Sequence, residues 1–247
     1  MLLTNRLFER QPPGREAKSI YIFCEGAKRE PQYFEFFREM DTRINIEVYR
    51  LSSNEDNSPR GLLSIAKECI LPDPDNPPKY DFQENDEVWI VLDTDPDKSS
   101  SREKQIQEVK AECHNLPRWN TVESNPCFEV WLLYHVNDQY EGFEQDNTCN
   151  AWKQRLNAII SSGFDSRRHP IYIQQAIDNA KYNFSFIAEN RPNIGSTEVY
   201  HVAESIVSIT KDKITKVLNK LDSWKALYPG LHKPPLHPTF AAYLEPF

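Results

Sequence analysis

The chain has 247 residues, of which 39% are hydrophobic and 27% charged, and its formal net charge at pH 7 is −8. This length fits one large domain or a core with an added subdomain, and the composition excludes collagen-like, coiled-coil and low-complexity proteins. No apolar run approaches the roughly 18 residues that a membrane span needs, so we expect no membrane-spanning segment.

The first 18 residues lack the apolar stretch of a secretory signal, and the five cysteines are scattered along the chain without a CxxC pair. Reduced thiols in a cytoplasm explain this cysteine usage better than a disulfide framework or a zinc site does. We therefore expect a cytoplasmic protein.

Strand and helix patterns alternate from the start of the chain to about residue 150. Short apolar or alternating runs predict strands at 19–24, 44–51, 88–92 and 119–122. Helical spacing or capping residues predict helices at 31–40, 58–70, 102–116 and 127–136, of which 102–116 is expected to be a polar surface helix. This alternation predicts an α/β fold with a mostly parallel sheet flanked by helices.

Strand signals fade after about residue 150, where the pattern predicts helices at 151–160, 171–188 and 197–222. We therefore expect a catalytic core over 1–145 and a mainly helical C-terminal part over 146–247, which either packs on the core or docks a partner.

Acidic residues are concentrated in one stretch. Seven of them lie between Asp81 and Asp97 without an intervening Lys or Arg, whereas the region from Asn150 to Phe240 carries a small excess of Lys and Arg. A solvated loop explains the acids from Asp81 to Glu87. The later ones need another explanation, because a strongly apolar strand precedes them.

Carboxylates follow two of the predicted strands. Glu25 comes after the first strand, and Asp93 and Asp95 come directly after the strand at 88–92. The carboxyl ends of parallel strands form the edge where ligands bind in open α/β sheets. Carboxylates gathered there repel one another unless a cation shares them, and Mg²⁺ or Mn²⁺ is the usual cation where a phosphate ester is the substrate. Asp97 is a weaker candidate because Pro96 redirects the chain.

A third strand end offers Ser124 and Asn125, with Glu129 one turn into the next helix. Each acid also has a structural interpretation. Glu25 could bond its turn or the N-terminus of the following helix, and Asp93 and Asp95 could cap a loop and stay solvated. Glu129 could form a salt bridge. His135 and Cys127 are best explained as core residues.

The order of these motifs, a Glu-Gly turn after the first strand and an Asp-x-Asp after a later apolar strand, resembles the Toprim domain. Three blocks narrow the resemblance to the RloB-like family: FCEGAKREPQYF at 23–34, VWIVLDTD at 88–95 and SNPCFEVWLLYH at 124–135. The stretch GSTEVY at 195–200 is similar to the end of that family's pattern. Arg29 stands where the family usually has Thr, which puts a hydroxyl contact there in doubt.

The resemblance implies a Toprim-like (Rossmann-like) fold in which Glu25 is a general acid/base or metal ligand and Asp93 and Asp95 bind Mg²⁺ or Mn²⁺. Glu129 would join them as a catalytic residue. The residues assigned to substrate binding are Lys28, Arg29, Ser124 and Asn125.

The function implied is a metal-dependent nuclease that cleaves DNA or RNA, with transfer RNA among the candidates, as the effector of an anti-phage abortive-infection system. A net charge of −8 disfavours tight binding to long duplexes by this chain alone, which fits a partner ATPase of the ABC/AAA type. The alternatives are a non-catalytic regulatory subunit of that ATPase and a hydrolase of small phosphate esters. The chain could also form a homo-oligomer.

Overall fold

The computed structural model describes residues 7–96, 101–138, 147–160, 163–187 and 191–227, and for 224–227 it describes the backbone only. Asp97 lies outside these ranges. No helix among the described residues combines the length and apolar character needed to cross a bilayer.

Four parallel strands form the central sheet. They are β1 (Lys18–Cys24), β2 (Ile44–Tyr49), β3 (Glu87–Asp93) and β4 (Trp119–Ser124), in the order β2-β1-β3-β4. All three pairings are parallel. This confirms the predicted α/β fold and the four predicted strands, with β4 two residues longer than the pattern indicated.

The strand order places β1 at the point where the chain changes direction across the sheet. β1 pairs with β2 on one side and with β3 on the other. The loops that leave β1 and β3 therefore diverge at their carboxyl ends and open a crevice, which is where ligands bind in sheets of this kind.

Within the described ranges, seven helices, two short 3-10 turns and a small hairpin complete the fold. In chain order the helices are α1 (Arg29–Phe34), α2 (Pro59–Ile70), α3 (Ser101–His114), α4 (Glu129–Leu133), α5 (Cys149–Ile159), α6 (Ile173–Asn183) and α7 (Tyr200–Leu227). The 3-10 turns are Glu35–Phe37 and His169–Tyr172, and the hairpin strands are β5 (Phe186–Ile187) and β6 (Arg191–Pro192).

Two apolar clusters lie on opposite faces of the sheet, because alternate residues of a strand point to opposite sides. Tyr21 and Phe23 of β1 face a cluster that is completed by α2 and α3. Ile20 and Ile22 face a larger cluster to which α1, α4, α5, α6 and α7 contribute. The larger cluster thus contains residues from both sides of the proposed division at residue 145, which itself stays a prediction.

Local sequence explains most element boundaries. The side chain of Ser58 accepts a hydrogen bond from Gly61 N and caps α2, and Pro59 takes the first helical position, as predicted. The predicted helix at 171–188 is too long, because Phe184 is extended and 186–187 pair with β6. The apolar run 127–136 forms only a short helix, α4, whose residues are buried all round.

Part of the acidic stretch 81–87 is structural. Asp81 and Glu84 are exposed, as the prediction of a solvated loop requires, whereas Asp86 and Glu87 are not, which corrects the prediction for these two residues. Asp86 is 3% exposed, and its carboxylate accepts hydrogen bonds from Ser19 N at 2.7 Å and from Gln83 N at 2.9 Å. Glu87 pairs with Lys18 and accepts a hydrogen bond from Trp89 Nε1 at 3.0 Å. These contacts fix the start of β3.

Candidate metal centre at the carboxyl edge of the sheet

Glu25 follows the last residue of β1 and reaches across to β3. Its Oε1 accepts a hydrogen bond from the backbone N–H of Asp93 at 3.3 Å, and its Oε2 is paired with the guanidinium of Arg102. Burial raises the pKa of Glu25 to about 7, although Arg102 opposes the shift. A pKa near neutrality is the property that a general acid or base needs.

Asp93 is the final residue of β3, and Asp95 follows it on a tight turn. Asp95 has a φ of 42°, a left-handed conformation that Asp tolerates better than most residues do. Its N–H donates to the carbonyl of Pro126 at 3.0 Å, which orients the turn. Loss of water and the neighbouring charges of Glu25 and Glu30 raise the pKa of Asp93 well above its ordinary value.

Glu25, Asp93 and Asp95, called the acidic rim from here on, thus lie together where the sequence placed them. Repulsion between carboxylates explains why the charge of Asp95 also raises the pKa of Glu25. Such a group is stabilised by a cation.

Cys149 is a member of the site that the sequence did not indicate. Its Sγ lies 2.7 Å from Asp95 Oδ1, and ligand atoms of Asp93, Asp95 and Cys149 all lie within 4.8 Å of one another. Two carboxylates and a thiol are a donor set that fits a divalent cation. All five cysteines are free thiols, as predicted.

Arg102 is the second residue that the sequence analysis missed. It was assigned to a polar surface helix, yet its side chain is only 11% exposed and turns from the first turn of α3 into the acidic rim. Its Nε donates to the carbonyl oxygen of Asp93 at 3.0 Å, and its Nη2 lies 3.8 Å from Asp95 Oδ2. Arg102 therefore offsets part of the negative charge there.

Ser124 and Asn125, assigned to substrate binding, are buried at the end of β4. Ser124 Oγ hydrogen-bonds with Thr197 Oγ1 at 2.7 Å. Asn125 Oδ1 accepts from Thr94 Oγ1 at 2.9 Å, and its Nδ2 donates to Pro192 O at 2.8 Å. These contacts tie the turn between Asp93 and Asp95 to the C-terminal part, and the substrate role stays a prediction.

Glu129 lies in a second acidic pair beside the rim. It is 4% exposed and lies 3.7 Å from the Nε of Arg29 and 4.0 Å from Lys153 Nζ. Burial and then the charge of Glu129 raise the pKa of Glu30, a buried residue that sequence reasoning did not single out. Because Glu30 in turn raises the pKa of Asp93, the two acidic groups are neighbours.

Lys28 and Arg29 are exposed at the start of α1, directly after the Glu25 turn. This position lets their charges face an anion that approaches the rim, although their assigned role in substrate binding stays a prediction. His135 and Cys127 are buried, at 2% and 1% exposure, which confirms them as core residues.

These features define an α/β protein whose parallel sheet carries a candidate metal-binding group at its carboxyl edge. The family model described as RloB-like protein matches residues 20–206, so the chain belongs to the RloB-like protein family. The resemblance identified in the sequence is thereby confirmed. No curated protein and no solved structure matches the chain.

Proposed function

We propose that this protein is a divalent-metal-dependent nuclease that hydrolyses phosphodiester bonds in DNA or RNA, transfer RNA included. One observation carries the proposal: the acidic rim brings carboxylates from the ends of two adjacent parallel strands to the crevice of the sheet, with the Glu25–Asp93 contact at 3.3 Å. An acidic group at this position suits a metal ion and a phosphate ester.

The proposal gives roles to the acidic rim and to Arg102 beside it. Asp93 and Asp95 would hold the cation, which when bound polarises the phosphate and stabilises the leaving oxygen. Glu25 would accept the proton of the attacking water at its carboxylate, since its pKa of about 7 leaves it partly ionised at neutral pH. Arg102 would keep Glu25 oriented through their ion pair.

Water is a better nucleophile here than a tyrosine. Tyr33 lies in α1, the helix that follows the Glu25 turn, but it is 0% exposed and its hydroxyl hydrogen-bonds to His135 Nε2 at 3.1 Å. Burial raises its pKa well above the ordinary value, which disfavours the nucleophilic phenolate. We therefore propose that water cleaves the bond directly, without a covalent enzyme intermediate.

The proposal includes a partner protein that helps to bind the nucleic acid. Lys28, Arg29 and Lys153 are exposed cations, and Arg29 and Lys153 lie within 4.0 Å of the acidic Glu129. The whole chain carries a net charge of −8. Binding of long nucleic acids depends on many phosphate contacts. We therefore include an ATPase of the ABC/AAA type that supplies recognition and control in an anti-phage system.

The test compares Glu25→Gln with Glu112→Gln, a control on the outer face of α3. Each protein is first checked for folding, then incubated with Mn²⁺ and labelled duplex DNA, single-stranded DNA, RNA and transfer RNA. We expect cleavage of at least one polymer by the wild type and the control, and a loss of about 10²–10⁴-fold in Glu25→Gln.

Three results would contradict the proposal. Equal cleavage by Glu25→Gln and the wild type would remove Glu25 from the chemistry. Release of phosphate from mononucleotides with every polymer intact would favour a hydrolase of small phosphate esters. If a folded Glu25→Gln variant still binds the ATPase and remains fully toxic in cells, the result favours a non-catalytic regulatory subunit over a nuclease.

A further inference from the structure

The metal-binding group contains a sulfur donor. We propose that Cys149 is the third protein ligand of the cation held by Asp93 and Asp95, and that its thiolate makes the site prefer Co²⁺ or Zn²⁺ over Mg²⁺. This inference rests on the metal dependence of the proposed function and specifies which cations serve it.

The three donors lie close enough together to enter the first coordination sphere of one cation after small shifts of their side chains. An oxygen about 2.1 Å and a sulfur about 2.3 Å from one metal ion lie roughly 3.1–4.4 Å apart for angles between a right angle and a straight line. The donor atoms of Asp93, Asp95 and Cys149 lie within 4.8 Å of one another, and the closest sulfur–oxygen contact is 2.7 Å. Small adjustments of these side chains would accommodate the ion.

The fold holds the sulfur in this position. Cys149 is the first residue of α5, and the side chain of Thr148 caps this helix by accepting a hydrogen bond from Ala151 N at 3.3 Å. Trp152 and Leu156 anchor the same helix in the core, at 1% and 0% exposure. The thiol itself is only partly buried, so an ion can reach it from solvent.

A metal ion binds the thiolate of a cysteine and displaces the proton of the thiol. In the metal-free protein the S–H lies against Asp95 Oδ1. On binding, this proton passes to solvent and a sulfur lone pair forms the bond to the cation, so that no oxidant or reductant is needed.

Ligand chemistry then determines the preference among cations. Mg²⁺ takes oxygen ligands in a strict octahedron and keeps much of its water, whereas Zn²⁺ and Co²⁺ bind thiolates readily. A site built from carboxylates alone would favour Mg²⁺ or Mn²⁺. The thiol of Cys149 shifts that balance, and this is the feature that distinguishes the rim from a purely acidic one.

Cys127 provides a matched control. It is a neighbour of Cys149 and is 1% exposed, but it is not part of the group whose donor atoms lie within reach of one ion. A Cys127→Ser variant therefore removes a neighbouring sulfur without removing the proposed ligand.

The experiment adds Co²⁺ to the full-length protein and records the near-ultraviolet band of thiolate-to-cobalt charge transfer, while calorimetry measures the affinities for Co²⁺, Zn²⁺ and Mg²⁺. We expect the band in the wild type and in Cys127→Ser, and its loss in Cys149→Ser. That last variant should still bind cations through Asp93 and Asp95. Its preference for Zn²⁺ over Mg²⁺ should fall about tenfold or more, since one ligand is lost.

The readouts separate this inference from the proposed function. Binding of Co²⁺ without the band, together with equal affinities in the wild type and Cys149→Ser, overturns the role of Cys149 and leaves the acidic rim as a metal site. Absence of binding of every cation to folded wild-type protein overturns both. If the wild-type protein binds a cation, loss of that binding in the Asp93→Asn/Asp95→Asn variant shows that the cation occupies the acidic rim.

Discussion

Arg102 bonds Glu25 and the backbone carbonyl of Asp93 at the same time, so one guanidinium connects the ends of β1 and β3. Both side chains of the ion pair are nearly buried, at 11% and 10% exposure. The pair therefore holds the crevice together and compensates charge where water does so poorly. A cation that binds the acidic rim would have to share these carboxylates with Arg102.

Replacing Arg102 by Met should lower the free energy of unfolding by about 3 kcal/mol, because the change leaves the Glu25 carboxylate and the Asp93 carbonyl without their partner. Urea unfolding at pH 8 measures this. The control is Arg60→Met, which breaks an exposed pair with Glu108 and should cost under about 1 kcal/mol. Equal losses in the two variants would contradict a structural role for Arg102.

Thr94 and Asn125 connect two loops of the site, through a hydrogen bond of 2.9 Å. Thr94→Val keeps the shape but removes the donor, so Asn125 loses a partner and the turn between Asp93 and Asp95 loosens. We expect the affinity for Mn²⁺ to fall about tenfold, as for other residues that orient metal ligands. Calorimetry measures it, with the exposed Thr215→Val as the control. An unchanged affinity would show that the turn is fixed without this bond.

The sequence predicted the acidic rim because its signals are local. The apolar runs before Glu25 and Asp93 identify buried strands, and residues that follow parallel strands must meet at one edge of the sheet. No knowledge of side-chain packing is needed for this step. The position of Asp95, two residues beyond Asp93, follows from the same strand.

Cys149 and Arg102 could not be predicted in this way, because they reach the rim from helices. Arg102 is 77 residues from Glu25, and Cys149 is 54 residues from Asp95. In sequence, Arg102 begins a polar helix that resembles a solvated surface element, and Cys149 has no metal-ligand spacing to any other cysteine. Only the packing of α3 and α5 against the sheet gives them their positions.

Lys110 lies between the buried Glu123 of β4 and the partly buried Glu198. It pairs with Glu123, which is 1% exposed, and lies 4.0 Å from Glu198 Oε2. Burial raises the pKa of both acids, and Lys110 opposes the shift. Lys110→Met should therefore lower the free energy of unfolding by about 3 kcal/mol, because it leaves two carboxylates uncompensated.

A double-mutant cycle checks this interaction. Adding Glu123→Gln to Lys110→Met should recover part of the lost stability, since the second change removes the unpaired charge. Lys104→Met, an exposed position on the same helix, is the control and should change stability by under about 0.5 kcal/mol. If the losses of the two single variants simply add, Lys110 and Glu123 do not interact.

His135 is a neutral histidine inside the larger apolar cluster, and it makes stability depend on pH. Burial lowers its pKa to about 3. Its Nδ1 lies 3.1 Å from the Trp131 carbonyl oxygen, which can only accept, so Nδ1 carries the proton and Nε2 accepts from the Tyr33 hydroxyl. A second proton would place a charge in the core.

The direction of the pH effect follows from proton binding in the two states. Between an unfolded pKa of about 6.5 and the folded value near 3, the unfolded chain binds a proton that the folded protein excludes. The stability contributed by neutral His135 is therefore complete above pH 6.5 and decreases as the pH falls, by about 1.4 kcal/mol per unit. At pH 5 the loss should reach about 2 kcal/mol.

Urea unfolding of wild type and His135→Gln at several pH values between 7.5 and 5 isolates this contribution, because glutamine keeps a neutral polar side chain but does not titrate. The variant should be less stable at pH 7.5, and its deficit should shrink by about 2 kcal/mol at pH 5. Exposed His114→Gln should show a difference from wild type that stays constant with pH. A deficit of His135→Gln that also stays constant would mean that His135 takes up its proton equally well in the folded and unfolded states, which is incompatible with a neutral imidazole bonded between Tyr33 and Trp131.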